Sequence, residues 1–336
     1  MLDRLILAAV AVAAVAIWPR SRASAGVALA AGISSVLVAG WGVAADTARA
    51  IGPMLAFLTA ALAVATWAER AGLATRAATA LAAAARGRTG RLYGLVCLVS
   101  AGLTCVVSLD GSVVLMVPLV RTLGQRCRIP QAPFFLGAVA VANAVSLAVP
   151  EGNPTNLVVM SRLGLSPATF LGHLLLPGLC AAALCALVPL RRLRGERYEV
   201  DADAPEPIRP GFSVPWRIGA QMAGLLATLD RLAPTLSLHG GGLVALLAVA
   251  GGTGAAAAAA NNLPVSASVA ALATSGPGAY AALIGLSVGA LATAHGSVAT
   301  LIARDLAGDR RPWARTWAPV SAAAVGVATL VLWLLS

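Results

Sequence analysis

The polar groups best placed for chemistry lie in one stretch, VPEGNPTN, which covers residues 149–156. The stretch interrupts an apolar segment, 132–165, which is longer than the ~20 residues that a helix needs to cross a bilayer. Its two prolines and glycine predict a broken helix, because proline removes a backbone donor and clashes with the preceding turn. Polar groups are costly in lipid unless they have a task, and secondary transporters place such breaks at their solute and ion sites.

Three further polar segments interrupt apolar runs: SLDGS at 108–112, NNLP at 261–264 and ATAHGS at 292–297. We expect the first two to form the tips of re-entrant hairpins and the third to be a second broken helix. Helix ends at such breaks direct unpaired amides or carbonyls at a ligand. The predicted solute-binding residues of the four segments are Asp110, Gly111, Ser112, Gly152, Asn153, Thr155, Asn156, Asn261, Asn262, Thr293, Gly296 and Ser297.

Three titratable residues are candidates for proton or ion coupling: Asp110, Glu151 and His295. A carboxylate buried in hydrocarbon needs a partner, water or a proton, and histidine titrates in the physiological range. A proton relay through these residues is one hypothesis. The alternative is that Asp110 caps its own hairpin arm and that the nearby asparagines and threonines cap half-helices, a role they favour. No catalytic group, metal site or cofactor is predicted.

The composition is that of a polytopic membrane protein. The 336 residues are 59% hydrophobic and 11% charged, about half the charge of soluble domains, and the mean hydropathy is +0.85. The net charge of +11 comes from 24 basic residues, all arginine, that lie at the ends of apolar runs. This pattern is typical of cytoplasmic loops that face anionic lipid, so we expect the bilayer and not nucleic acid as the partner.

The apolar runs predict an all-α protein with about eight full spans in two inverted halves. The first half, 1–190, holds spans 5–18, 25–43 and 51–67, an interfacial helix 73–85, a hairpin 92–123, a broken helix 132–165 and a closing span 167–190. A cytoplasmic linker, 191–212, follows. The shorter second half, 213–336, holds a span 213–229, a hairpin 240–274, a broken helix 279–303 and a closing span 316–335.

Arginines on both sides of 92–123 favour the hairpin over the alternative, a single span with Asp110 in mid-helix. Aligning the two halves places Glu151 opposite His295 and Asp110 opposite Asn262. Such inverted repeats, with breaks in matching positions, indicate a solute site near the middle of the membrane.

The five cysteines predict no disulfide framework and no metal site, since they mostly lie in apolar runs without ligand spacing. The N-terminal apolar stretch resembles a signal peptide. No convincing small-residue cleavage site follows it, so we interpret the stretch as a membrane helix.

Four segments, SLDGSVVLMVPLV, VANAVSLAVPEGNPTNLVV, NNLP and ALATAHGSVATL, resemble the arsenite/antimonite efflux permease branch of the ion transporter superfamily. Divalent anion:sodium symporters and sodium/proton antiporters are related to this branch. The resemblance implies an inner-membrane permease with a scaffold and a mobile, elevator-like transport domain. It also implies export of arsenite or antimonite, driven by the proton gradient or by a cytosolic ATPase partner; a homodimer is a further possibility.

The chain departs from that branch at three positions. Leu109 and Leu291 stand where asparagines are usual, and His295 stands where a threonine is usual. These departures leave the fold prediction unchanged and bear on the substrate. The alternative function is a sodium- or proton-coupled carrier of organic anions of the dicarboxylate or citrate type, although the first hairpin tip lacks the Asn-Thr pair of the sodium-coupled symporters. A membrane enzyme, such as an intramembrane protease, is a remote alternative, because the sequence has none of the serine, zinc or paired-aspartate motifs that it needs.

Overall fold

A computed structural model describes residues 2–19, 21–193, 195–201, 214–229, 241–272, 276–307 and 313–336. Within these ranges the chain forms helices and no strand. In this described part of the chain, six helices are long and apolar enough to cross a membrane. The prediction of an all-α polytopic membrane protein is confirmed. Most of the predicted linker and residues 240, 273 and 274 of the second hairpin lie outside the described residues.

Four helices form one bundle, which we call the scaffold bundle: α1 (Leu2–Ile17), α2 (Arg22–Ala39), α3 (Trp41–Arg70) and α10 (Trp216–Leu229). Hydrogen bonds tie α10 to α2. Ser35 Oγ donates to the carbonyl of Ala227 at 2.8 Å, and Gln221 Nε2 donates to Ser24 Oγ at 2.8 Å. Small residues allow the close approach, as is common in membrane helices.

The predicted spans 25–43 and 51–67 have different bounds in the structure. Helix α2 ends at Ala39 and α3 runs without interruption over Trp41–Arg70. The turn falls at Gly40, whose φ of +95° favours glycine. Asp46 and Arg49 form an exposed ion pair of 2.7 Å within α3, so these charges are compatible with a continuous helix.

The remaining helices form a second body, which we call the hairpin unit. Its first half contains α4 (Leu73–Ala85), α5 (Thr89–Val107), α6 (Leu109–Arg126), α7 (Gln131–Ser146), α8 (Pro154–Leu163) and α9 (Pro167–Leu193). The chain folds back at Ser108, so that Ser112 Oγ on α6 donates to the carbonyl of Ser100 on α5 at 3.0 Å. A short 3-10 turn, Pro150–Gly152, separates α7 from α8.

The second half repeats this order. Helices α11 (Leu243–Ala260) and α12 (Asn262–Leu272) pack together on either side of Asn261. A 3-10 turn, Gly289–Ala292, follows α13 (Pro277–Val288) and precedes α14 (Val298–Ala307); α15 (Trp313–Leu335) closes the chain. Although α5 and α11 have the length of full spans, each is therefore the first arm of a hairpin.

We expect Gly224→Ala to destabilise the scaffold bundle. A methyl group at Gly224 would meet the carbonyl of Ala28 across the α2–α10 contact. Overpacking of this kind costs about 1–3 kcal/mol, so the melting temperature in detergent should fall.

The matched control is Gly26→Ala on α2, where nothing lies within 4 Å of the added carbon. An alanine in a helix, without steric conflict, should raise the free energy of unfolding by about 0.5–1 kcal/mol relative to glycine. The melting temperature should therefore rise. Equal shifts of the same sign in both variants would show that the α2–α10 contact is not as described.

Candidate functional site

The N-termini of four helices meet around one small space of about 10 Å³. Two of these helices, α6 and α12, are second arms of hairpins, and the other two, α8 and α14, follow the breaks. One residue of the scaffold bundle, Met54 on α3, closes the space. The lining residues are Met54, Leu109, Asp110, Asn153, Pro154, Asn262, Leu263, Val298 and Ala299.

Backbone conformation at the two hairpin hinges is the same. Ser108 has φ +85° and Asn261 has φ +77°, a region that residues with a side chain rarely adopt. Each hinge ends one arm and places the next residue at the start of the second arm. Leu109 therefore corresponds to Asn262, which corrects by one residue the predicted pairing of Asp110 with Asn262.

The two breaks are also equivalent, and their glycines show why. A Cβ atom at Gly152 would lie 2.7 Å from the carbonyl oxygen of Ser146, and one at Gly296 would meet that of Ala290 even more closely. In each break the obstructing carbonyl lies six residues before the glycine. Each tight turn therefore requires glycine, and the predicted pairing of Glu151 with His295 agrees with this geometry.

In three of the four segments a side chain accepts a hydrogen bond from one backbone amide of the helix N-terminus. Asn153 Oδ1 accepts from the backbone amide of Thr155 at 3.1 Å, and Asn261 Oδ1 accepts from Leu263 at 3.2 Å. Ser297 Oγ accepts from the amide of Thr300 at 3.1 Å. Asn153 therefore has the capping role that the alternative interpretation gave to asparagines at the breaks, and Asn261 and Ser297 act as caps too.

The second hairpin is joined to the second break by hydrogen bonds. Asn261 Nδ2 donates to the carbonyl of His295 at 2.7 Å, and the amide of Asn262 donates to Gly296 at 2.7 Å. In the other direction, Thr293 Oγ1 donates to Ala258 at 2.6 Å, and His295 Nε2 lies 3.2 Å from the carbonyl of Ala259. The side chains of Asn261, Thr293 and His295 are thus engaged in fixing the backbone of this hairpin and break.

Around the break of the first half, some buried polar groups have no hydrogen-bond partner. Asn156 Nδ2 donates to the freed carbonyls of Ser146 and Val149 at 2.8 and 3.0 Å. Three buried oxygens on the helices that flank this break have no hydrogen-bond partner, namely Asn143 Oδ1, Thr155 Oγ1 and Asn156 Oδ1. They are acceptors that a cation, or a donor group of a solute, could engage.

The structure brings together some of the predicted site residues and separates others. Asp110, with 5% of its surface exposed, lines the space with Asn153 and Asn262. Glu151 is exposed and His295 is buried against the second hairpin, and neither of them lines the space. The other predicted residues do not line the space; they lie at the hinges and breaks or in the first turns of α6 and α8.

Several residues of the site were missed by the sequence analysis. Met54 gave no signal, since it lies in an ordinary apolar run. Asn143 did give a signal in the sequence, because it is a carboxamide within an apolar run; it is buried in the helix 131–146. Leu109 and Val298 line the space as the first residues of their helices. Only the fold shows that these residues meet.

The four helix ends give the space its electrostatic character. The N-terminus of a helix carries a partial positive charge and unpaired amides, so it attracts anions. Four such ends point at one space, together with a single carboxylate, that of Asp110. Among the described residues no group of three or more His, Cys, Asp or Glu could hold a metal ion, and the five cysteines are free thiols.

Comparison with known proteins identifies two similarities. A family model described as citrate transporter matches residues 3–318. A curated relative, the inner membrane protein YbiR of Escherichia coli, is 34% identical over 84 residues, which are 25% of this chain and 23% of that protein. The match to YbiR thus spans less than a quarter of the relative's length. The prediction of a transporter, rather than an enzyme, is confirmed at the level of the family; the arsenite/antimonite branch is not.

We expect Asn156→Ala to destabilise the first break. The change removes the donor that satisfies two buried carbonyls, and each buried group left unsatisfied costs about 1–3 kcal/mol. Thermal unfolding in detergent should show a lower melting temperature. The control on the same helix is Ser161→Ala, whose exposed hydroxyl only bonds back to Val158 and whose loss should change little. A stable Asn156→Ala variant would contradict this account of the break.

Proposed function

Since this chain belongs to the citrate transporter family, we propose that it is a proton-coupled secondary carrier of a small organic anion of the citrate type. The family match covers residues 3–318 of the 336. The family is one of membrane transporters, which agrees with the helices long enough to cross a bilayer. By analogy with the inner membrane relative, we place the protein in the cell inner membrane.

The observation that supports this substrate class is the convergence of four helix N-termini on one space. Their partial positive charges and amides stabilise a negative ligand, and this electrostatic stabilisation is stronger where water is excluded. A carboxylate could accept hydrogen bonds from these amides and from the side-chain amide of Asn262. A multiply charged anion can use several helix ends at once, which favours it over a neutral solute.

Asp110 provides a physical reason for proton coupling. Its carboxylate lies at the start of α6 in the same confined space that the anion would occupy. Two negative groups in such a space repel each other, so binding of the anion favours uptake of a proton by Asp110. Release of the anion on the other side of the membrane reverses this preference. Of the three predicted coupling residues, we therefore propose Asp110 as the one that carries the proton. Glu151 and His295 lie outside the space.

Transport through this site requires the two bodies of the protein to move relative to each other. A space of about 10 Å³ holds at most about one water molecule. An organic anion fits only if the hairpin unit separates from Met54 and α3. The hairpin unit has a hydrophobic core of its own, and a second apolar cluster joins the scaffold bundle to α6, α12 and α14. An elevator-like movement would slide the two bodies along this second cluster.

Arsenite and antimonite export is the competing hypothesis, and its support is the resemblance of the four motif segments. Trivalent arsenic is an uncharged hydroxide at neutral pH, so the helix ends would contribute less to its binding. Sodium is the alternative coupling ion. The unpartnered oxygens of Asn143, Thr155 and Asn156 are the acceptors that it would use. The cytosolic ATPase partner and the homodimer stay predictions.

We expect Asp110→Asn to abolish accumulation driven by a proton gradient while facilitated exchange persists. Each pH unit is worth 1.36 kcal/mol per coupled proton, so one unit should sustain about tenfold accumulation in the parent. The variant, which has no carboxylate to protonate, should only equilibrate. Uptake of labelled citrate, dicarboxylates, arsenite and antimonite into proteoliposomes, with and without imposed pH and sodium gradients, measures this.

The matched control is Asp46→Asn, which removes an exposed carboxylate from α3, away from the space. It should behave as the parent does. Accumulation of citrate by Asp110→Asn at the level of the parent would contradict proton coupling at this residue. Transport of arsenite without any organic anion would overturn the substrate proposal and favour the competing hypothesis.

A further inference from the structure

A crevice of about 250 Å³ separates the scaffold bundle from the hairpin unit. Leu62, Thr66 and Glu69 on α3 line one side, and Val117 and Arg121 on α6 line the other. The crevice lies toward the ends of α3 and α6 that carry the arginine clusters of the chain, so it faces the cytoplasm.

A thin apolar layer divides the crevice from the small space of the site. Leu58 on α3, Val114 on α6 and Ile302 on α14 are buried and belong to one hydrophobic cluster. Val114 and Ile302 also line the crevice. Each lies about one helical turn from a residue of the site on its own helix, namely Asp110 and Val298. This layer separates the site from the crevice.

An ion pair crosses the crevice from one body to the other. Arg217 on α10 of the scaffold bundle contacts the carboxylate of Asp305 on α14 of the hairpin unit. Arg217 is also held from its own side, because it donates to the carbonyl of Pro19 at 2.6 Å. The two side chains are 15% and 28% exposed, so solvent screens this pair less than a surface pair.

We propose that the Arg217–Asp305 pair is a latch that holds the hairpin unit against the scaffold bundle in the cytoplasm-facing state. The proposal rests on the movement of the two bodies set out above. Asp305 belongs to the same short helix, α14, whose N-terminus faces the site. When the hairpin unit moves outward, Asp305 moves with the site, whereas Arg217 stays with Pro19. The pair must therefore break in every cycle.

The chain offers a matched ion pair that stays within one body. Arg128, after α6, contacts Asp201 at 2.8 Å. The segment 195–201 is bound to the hairpin unit, since Tyr198 Oη donates to the carbonyl of Ala82 on α4 at 2.7 Å. Both partners of this pair therefore move together, so that it should not break during transport.

A reversible cross-link tests the latch directly. In the double variant Arg217→Cys with Asp305→Cys, a short cleavable bifunctional thiol reagent should stop uptake in the cross-linked fraction, and reduction should restore it. The same reagent on Arg128→Cys with Asp201→Cys should leave uptake unchanged, and the parent controls for its five native cysteines. Uptake by the cross-linked Arg217/Asp305 protein would overturn the proposal.

A second measurement requires no substrate. A reporter, Thr66→Cys, lines the crevice, and an uncharged maleimide reaches it from the cytoplasmic side of inside-out vesicles. Removal of the latch by Asp305→Asn should slow labelling several-fold, because the cytoplasm-facing state is less populated. The charge swap Arg217→Asp with Asp305→Arg should restore the rate, and Asp201→Asn should not change it. Unchanged labelling in Asp305→Asn would contradict the latch.

The two measurements separate this proposal from the proposed function. If no tested solute is transported, but labelling falls in Asp305→Asn and recovers in the charge swap, then the latch stands and the substrate class is wrong. If citrate is transported, but neither cross-linking nor Asp305→Asn has an effect, then the carrier function stands and the pair is only a static contact.

Discussion

The structure depends on one constraint, that backbone amides and carbonyls in lipid must be satisfied within the protein. A continuous helix does this by itself, but a broken helix exposes polar groups at the break. Here side chains replace the missing bonds. Asn156 serves two carbonyls in the first break, while Trp313 Nε1 donates to Leu291 at 2.6 Å and Ser321 Oγ to Val288 at 2.8 Å in the second. The candidate site lies next to these breaks, where side-chain hydrogen bonds replace those of the helix backbone.

The two halves share a backbone plan but differ in how they use their polar groups. In the second half, Asn261, Thr293 and His295 bind hairpin to break and are consumed by that task. In the first half, Asp110 faces the common space, and acceptors on Asn143 and Asn156 are unpartnered. The polar side chains of the second break thus hold its backbone, whereas the first half leaves a carboxylate and unpartnered acceptors, on which the proposed coupling rests.

The contacts between the two bodies change in character with distance from the site. Near the site the contact is apolar, with Met54 and Leu58 of α3 against the hairpin unit. Toward the arginine-bearing ends of α3 and α6 it becomes charged, where Arg217 meets Asp305. An apolar surface can slide without leaving polar groups unsatisfied, whereas an ion pair joins two fixed points. The interface between the two bodies thus combines both properties, and the proposed movement would use the apolar surface to slide and the ion pair as its end point.

The sequence by itself determined the all-α class, the two hairpins and the two breaks, because proline, glycine and polar residues in apolar runs act locally on the helix. It misplaced the end of α2, since Asp46 and Arg49 appeared to end a span that Gly40 actually ends.

Only the tertiary structure decided which groups face the common space. Successive residues of a helix point about 100° apart, so the torsion at each hinge and the rotation of each arm select Leu109 and Asp110 and turn Glu151 to the outside. Met54 joins the site from a helix far away in sequence, which no local pattern records.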